Sequence, residues 1–214
     1  MTATPLTSGL LVLVLLTACS SGGGQSAGTP TDASTTASPT TAAPSPTPSW
    51  SPSAYHPTIN AADFTHTVDH PYFPLRPGAT KSFDGTRDGK PHHTEVQILT
   101  RTRKVMGIDC VVINDTVTSN GALVEQTEDW YAQDKTGNVW YFGENTAEYQ
   151  NGVVSSTHGT WEAGVDGAQP GIILYAKPKV GQAYYQEYRP GQAEDRAKVL
   201  TLDSVLKVPA GSFQ

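Results

Sequence analysis

Short turn dipeptides punctuate the middle of the chain: Asp88-Gly89, Met106-Gly107, Asn120-Gly121, Gly137-Asn138 and Asn151-Gly152. Asn-Gly and Asp-Gly pairs accept the left-handed backbone that a tight β-hairpin requires, and the runs between them are rich in β-branched and aromatic residues. Connections this short make consecutive strands antiparallel neighbours. The expected fold is therefore mainly β, a single antiparallel, twisted meander sheet, curved or closing toward a half-barrel. Its strands are expected over residues 79–85, 93–104, 108–118, 122–133, 138–148, 153–161, 181–189 and 196–208. Glu95-Val96-Gln97-Ile98 alternates polar and apolar, as a half-buried strand does, whereas Cys110-Val111-Val112-Ile113 is apolar on both faces and belongs at the sheet centre. No segment sustains a helical apolar period. Asn60 to Val68 has room for one or two helical turns, and His70, standing before Pro71, must leave the helical region.

The N-terminal part obeys different rules. The apolar run Leu10 to Leu16 is far short of the ~20 residues that a membrane-crossing helix needs. It fits the core of a signal peptide over residues 1–18. Leu16-Thr17-Ala18-Cys19 resembles the lipobox of bacterial lipoproteins. That resemblance implies a lipidated Cys19, an extracytoplasmic domain anchored to the outer face of the cell membrane, and the membrane itself as a partner. Residues 1–9 contain no Lys or Arg, a departure from the usual signal peptide that points to a start placed too far downstream.

From Ser20 to Pro57 every residue is Ser, Thr, Pro, Gly or Ala except Gln25, Asp32, Trp50, Tyr55 and His56. Such a segment cannot bury enough apolar surface to offset the entropy of ordering, so 19–57 is expected to be a disordered tether. Its proline-spaced end favours polyproline II, and at full extension it would reach about 110 Å. The stalk resembles those of surface lipoproteins from high-GC Gram-positive bacteria. The folded domain is expected at 58–214.

Charge and thiols exclude several function classes. A formal net charge of -6 at pH 7 provides no basic face for phosphate, so nucleic acid is not an expected partner. Two cysteines cannot build a disulfide scaffold or a four-thiolate zinc site. No cofactor motif is present, and none is expected. His66 and His70 have the spacing of a helical metal pair, but Pro71 breaks that helix. His92 and His93, as strand neighbours, would point to opposite faces. Cys110 among Ile108, Val111, Val112 and Ile113 fits a small buried hydrophobe better than a nucleophile. Asp134-Lys135-Thr136-Gly137-Asn138 lacks the alternating ligands of a calcium loop and fits a tight turn. No metal site is expected.

His70-Pro71-Tyr72-Phe73-Pro74-Leu75-Arg76-Pro77-Gly78, Glu128-Asp129-Trp130-Tyr131-Ala132-Gln133-Asp134, Gly137-Asn138-Val139-Trp140-Tyr141-Phe142-Gly143-Glu144 and Val208-Pro209-Ala210-Gly211-Ser212-Phe213 together resemble a family of uncharacterised exported bacterial proteins. The resemblance spans residues 68 to 214. That family has no established activity to carry over. Asn usually stands there at the position of His70, and its chains continue past the last motif, which implies a C-terminally truncated domain here.

Two features bear on function. Trp130-Tyr131 and Trp140-Tyr141-Phe142 flank one turn, so the paired strands place aromatics on both faces. One face is core; the other is a candidate ligand-binding platform made of Trp130, Tyr131, Trp140 and Tyr141, with Trp130 expected buried and Tyr131 the more exposed. Glu125, Glu128, Asp129 and Asp134 form an acid cluster, the raw material of a cell-wall hydrolase, although neighbouring acids on a strand diverge. The leading expectation is non-catalytic binding of an apolar or cell-envelope ligand or partner, with no catalytic residue assigned. A hydrolase with paired carboxylates is the alternative.

Overall fold

The computed structural model describes residues 55–214. The signal peptide, Cys19 and the tether up to residue 54 lie outside the described residues. A single 3-10 turn, Ala61–Asp63, capped by the Asn60 side chain, is all that forms of the helical segment expected there. Strands β1 (Val68–His70) and β2 (Phe73–Leu75) then make a small antiparallel ribbon through the proline-rich stretch.

The meander follows. β3 (Thr80–Arg87), β4 (Lys90–Val105), β5 (Ile108–Ser119), β6 (Ala122–Gln133) and β7 (Val139–Gln150) pair each with the next, all antiparallel. Asp88/Gly89, Met106/Gly107, Asn120/Gly121 and, after β7, Asn151/Gly152 all have positive φ at both residues. These are two-residue turns whose twist matches that of the strands, and they set the register of each hairpin.

After β7 the order departs from a simple meander. β8 (Val153–Ser156), β9 (Trp161–Glu162) and β10 (Gln169–Leu174) share the free edge of β7, along Glu148–Gln150, Gly143–Glu144 and Val139–Tyr141 respectively. Beyond β11 (Ala183–Tyr185), β12 (Glu187–Tyr188) adds to β10. The main sheet therefore runs β12-β10-β7-β6-β5-β4-β3. β13 (Arg196–Lys198) pairs β11, and β14 (Leu206–Val208) pairs β15 (Gly211–Phe213). The strand expected at 153–161 is thus two short strands, and β10 is an unexpected one.

Register shifts at Ile98/Thr102, Val117/Thr118, Asp129/Tyr131 and Glu148/Tyr149 mark irregularities that bend the strands and curl the sheet into a half-barrel. β5 is an interior strand, fifth of the seven from β12 to β3, as its two apolar faces require. Cys110 and Val112 pack on one face and Val111 and Ile113 on the other, all buried. Cys110 is free, and burial pushes its thiol up to about 12, so it is inert at neutral pH. Tyr55 already belongs to the fold, ahead of the expected boundary at 58. Its hydroxyl donates to the Pro170 carbonyl at 2.8 Å, and its ring meets those of Tyr185 and Tyr188.

Candidate functional site

The two faces of the β6–β7 pair carry two different sites. On the inner face, residues directly opposite each other are Glu125 and Glu148, Thr127 and Thr146, Asp129 and Glu144, and Tyr131 and Tyr141. The Thr127 and Thr146 hydroxyls bond at 2.7 Å, and the two tyrosine rings stack with centroids 4.6 Å apart. The Tyr141 oxygen lies 2.5 Å from Asp129 Oδ1 and 3.0 Å from Glu144 Oε2. A phenol has one proton, so Tyr141 can donate only one of these bonds. The shorter goes to Asp129, and a proton on Glu144 closes the other.

Electrostatics agree with that assignment. Burial first, and the neighbouring Asp129 and Glu187 next, push the Glu144 carboxyl well above the ordinary range. Burial also pushes Asp129 up to about 7, against the Tyr141 hydrogen bond that favours its charged form. Glu187, from β12, is raised to about 8 by burial and by Asp195 and Asp129. Asp115 rises to about 7 for the same reason, with Glu125 adding to it. A pocket of about 50 Å³ opens beside this cluster, walled by Glu125, Glu144, Glu148, Glu187, Glu194 and Asp195.

Of the acids singled out by spacing, Asp129 and Glu125 thus lie on the inner face, while Glu128 is on the other and pairs with Arg101. Asp134 is a turn organiser. It accepts from Thr136 N, Asn138 N and Trp140 Nε1 at 2.9, 3.0 and 2.8 Å. Burial would raise its carboxyl, but these bonds outweigh burial and hold it below the ordinary range. The acids therefore do not act as one group of sequence neighbours. Asp129 is joined instead by Glu144 and Glu187, which no local spacing marked.

The outer face carries a cleft of about 310 Å³ between Trp130 on β6 and Trp161 on β9. The Arg103 guanidinium lies 3.9 Å above the Trp130 ring and donates to Glu162 at 2.6 Å. Arg189 donates to the Thr160 carbonyl at 2.6 Å and pairs with Asp166 at 3.2 Å. The cationic side chains on the cleft are therefore matched by acids. Both indole N–H groups, of Trp130 and Trp161, are buried without a hydrogen-bond partner. Two glycines permit the construction. A Cβ at Gly143, where φ is 131°, would stand 2.3 Å from the Trp161 carbonyl oxygen, so glycine is what lets β9 dock on β7. A Cβ at Gly171 would stand 2.1 Å from the Gln186 carbonyl, so glycine also lets the segment bearing Glu187 approach β10.

The aromatic platform expected on this hairpin takes another form. Trp130 is 2% exposed, as expected, but Tyr131 is 4% exposed and Tyr141 fully buried. Curling covers Tyr131, which packs edge-on against Phe73 of β2 and face-on against Tyr141. Trp140 is half-buried, tied to Asp134 and edge-on to Phe64. Trp130 and Trp161 line the outer cleft, but both are core side chains at 2% exposure: the Arg103 guanidinium covers the Trp130 ring, and Trp161 stands edge-on to Tyr141.

His70 is buried in β1, its Nδ1 accepting from Tyr72 N at 3.2 Å, while His66 is exposed, so the two do not form a pair. His93 pairs with Asp84 across β3 and β4 at 2.8 Å. Among the described residues no helix is long and apolar enough to cross a membrane. No family model, curated protein or solved structure matches the chain.

Proposed function

We propose that this protein is a surface lipoprotein, tied by Cys19 to the outer face of the membrane, whose half-barrel binds a neutral glycan of the cell envelope without transforming it. The outer cleft carries this reading. Its volume of about 310 Å³ lies at the lower end of small-molecule sites, roughly 300–1,000 Å³. Its charged groups are already paired with one another, so a charged ligand would meet no uncompensated partner, whereas a hydroxyl- and amide-rich ring would find donors and acceptors. The lipobox-like Leu16-Thr17-Ala18-Cys19 and the Ser/Thr/Pro-rich segment after it support the extracytoplasmic address.

The hydrolase alternative has one observation in its favour, the convergence of Asp129, Glu144 and Glu187 with raised pKa values. Against it stands the pocket beside them. About 50 Å³ holds roughly four waters at 10–15 Å³ each, far less than a sugar ring requires.

Titration of the full chain with β-1,4-linked N-acetylglucosamine oligomers, read by tryptophan fluorescence, tests the binding reading because Trp130 and Trp161 wall the cleft. Saturable quenching that Arg103→Ala weakens at least tenfold is expected. Unchanged fluorescence at millimolar oligomer refutes the glycan reading, and release of new reducing ends refutes the non-catalytic one.

A further inference from the structure

The short edge strand β12 is fastened to both faces of the half-barrel. It pairs with β10 at two positions, Gln169 with Tyr188 and Pro170 with Glu187. Proline has no N–H to give, so backbone pairing holds this edge weakly. Beyond the ring contacts of Tyr188 with Tyr55 and Tyr185, its hold comes from two side chains. On the inner side Glu187 is buried and lines the acid pocket with Glu144. On the outer side Arg189, two residues on, donates to the Thr160 carbonyl at 2.6 Å and pairs with Asp166 at 3.2 Å, on the wall of the cleft. Reciprocal backbone bonds of 2.6 and 3.0 Å between Arg189 and Ala193 close the segment into one turn.

The inner fastening needs protons. Tyr141 has one proton for the carboxyls of Asp129 and Glu144, so one of the two must carry its own. Glu187 Oε1 is enclosed without a hydrogen-bond partner, a state that suits a neutral carboxyl and strongly disfavours a charged one. The neighbourhood is acidic on every side: Asp129 and Glu125 from β6, Glu144 and Glu148 from β7, Asp115 from β5, and Glu194 and Asp195 from the segment itself. β10 brings no titratable side chain. Against these acids stand His158, from the connection between β8 and β9, and Arg87, which offsets part of the charge on Glu125. Burial and the like charges together keep the Glu187 proton in place up to about pH 8.

We infer that β12 is a proton-operated latch on the outer cleft. With Glu144 and Glu187 neutral, the edge strand stays seated on β10 and holds Arg189 against Thr160 and Asp166. When they ionise, repulsion and the need for water lift Gln186 to Ala193 from the sheet, and Arg189 leaves the cleft wall. Thr146 joins the same two places by a second route: it lines the acid pocket, its N–H donates to the Thr160 hydroxyl at 3.0 Å, and its carbonyl accepts from that hydroxyl at 3.3 Å. The opening is local because β12 lies at an edge, whereas β6 and β7 are paired on both sides. The latch belongs to the fold and does not depend on the glycan reading.

The test is hydrogen exchange of the full chain, read by mass spectrometry at pH 6 and pH 8.5 with labelling times scaled for the pH dependence of intrinsic exchange. Protection of Gln186 to Ala193 is compared with that of β5, which cancels any change in global stability. The gap between them should widen at least about tenfold at the higher pH, and Thr160 to Asp166 should lose protection with the latch. Glu187→Gln and Glu144→Gln, isosteres of the protonated acids, should each shrink the widening, while Arg189→Ala should widen the gap already at pH 6. Protection that falls equally in both regions means that global stability alone responds to pH, and overturns the latch. A widening that persists undiminished in both glutamine variants overturns it too. A widening at Gln186 to Ala193 with Thr160 to Asp166 unchanged overturns the coupling to the cleft.

Discussion

The buried carboxyls make stability fall as pH rises through neutrality, the reverse of ordinary paired surface acids. Asp129 moves from 3.8 in the unfolded chain to about 7 in the fold. Between those values the folded state holds a proton that the unfolded chain has lost. Stability is therefore full below about pH 4, declines as pH rises, and has lost this contribution above about pH 7. At 1.36 kcal/mol per pH unit, the part of the window above pH 5 is worth about 3 kcal/mol for Asp129 alone. Glu187, raised from 4.5 to about 8, acts in the same direction and extends the window upward. The groups share their field with Glu144, Asp115, Glu125 and Asp195, so the joint effect is smaller than a sum. A domain of this size loses about 2–4 °C in Tm per kcal/mol. Circular-dichroism melts in a chelator at constant ionic strength should show Tm falling by roughly 6–12 °C from pH 5 to pH 8. Asp129→Asn, which keeps an acceptor for Tyr141 but cannot ionise, should flatten that slope. A Tm equal or higher at pH 8 than at pH 5 refutes the burial argument.

Trp130→Ala empties a core position against Val112 and Arg103 and should cost roughly 3–5 kcal/mol in urea unfolding, whereas Arg103→Ala, on the partly exposed side of the ring, should cost much less. Gly171→Ala drives a methyl into the Gln186 carbonyl and should lower stability by more than about 2 kcal/mol, with near-UV circular dichroism reporting loosened tyrosine packing around β12. Tyr55→Ala removes a hydrogen bond and two ring contacts and should lower Tm, while a chain beginning at Ser51 should melt as the full chain does. Cys19→Ala should release the protein from the membrane fraction to the medium; retention in that fraction refutes the lipobox reading.

The hairpins of this protein are written locally. Asp88-Gly89, Met106-Gly107, Asn120-Gly121 and Asn151-Gly152 specify turns that close within two residues, and a turn of defined twist leaves the flanking strands one register. The interior place of β5, one strand off the middle, is equally legible, because Cys110 to Ile113 has no polar face to give to water. So is the role of Asp134, whose partners lie within six residues of it.

Beyond β7 the chain makes pairings that only the folded whole decides. β10 contains Pro170 and Gly171, residues that argue against a strand until the Gln186 carbonyl is found where a Cβ would stand. Alternation along β6 does set Tyr131 on the face opposite Trp130, since the extra residue of the register shift lies in β7 between Tyr141 and Glu144, but the face it enters is closed by the curled sheet and by Phe73 arriving from β2. Glu144 and Glu187 are unremarkable in their own segments. They become a cluster with Asp129 because β7, β10 and β12 lie side by side, a neighbourhood created by nonlocal pairing that leaves no local trace in sequence. Turn chemistry acts over a few bonds and is visible in the chain; electrostatic proximity acts through space and appears only when the sheet has curled.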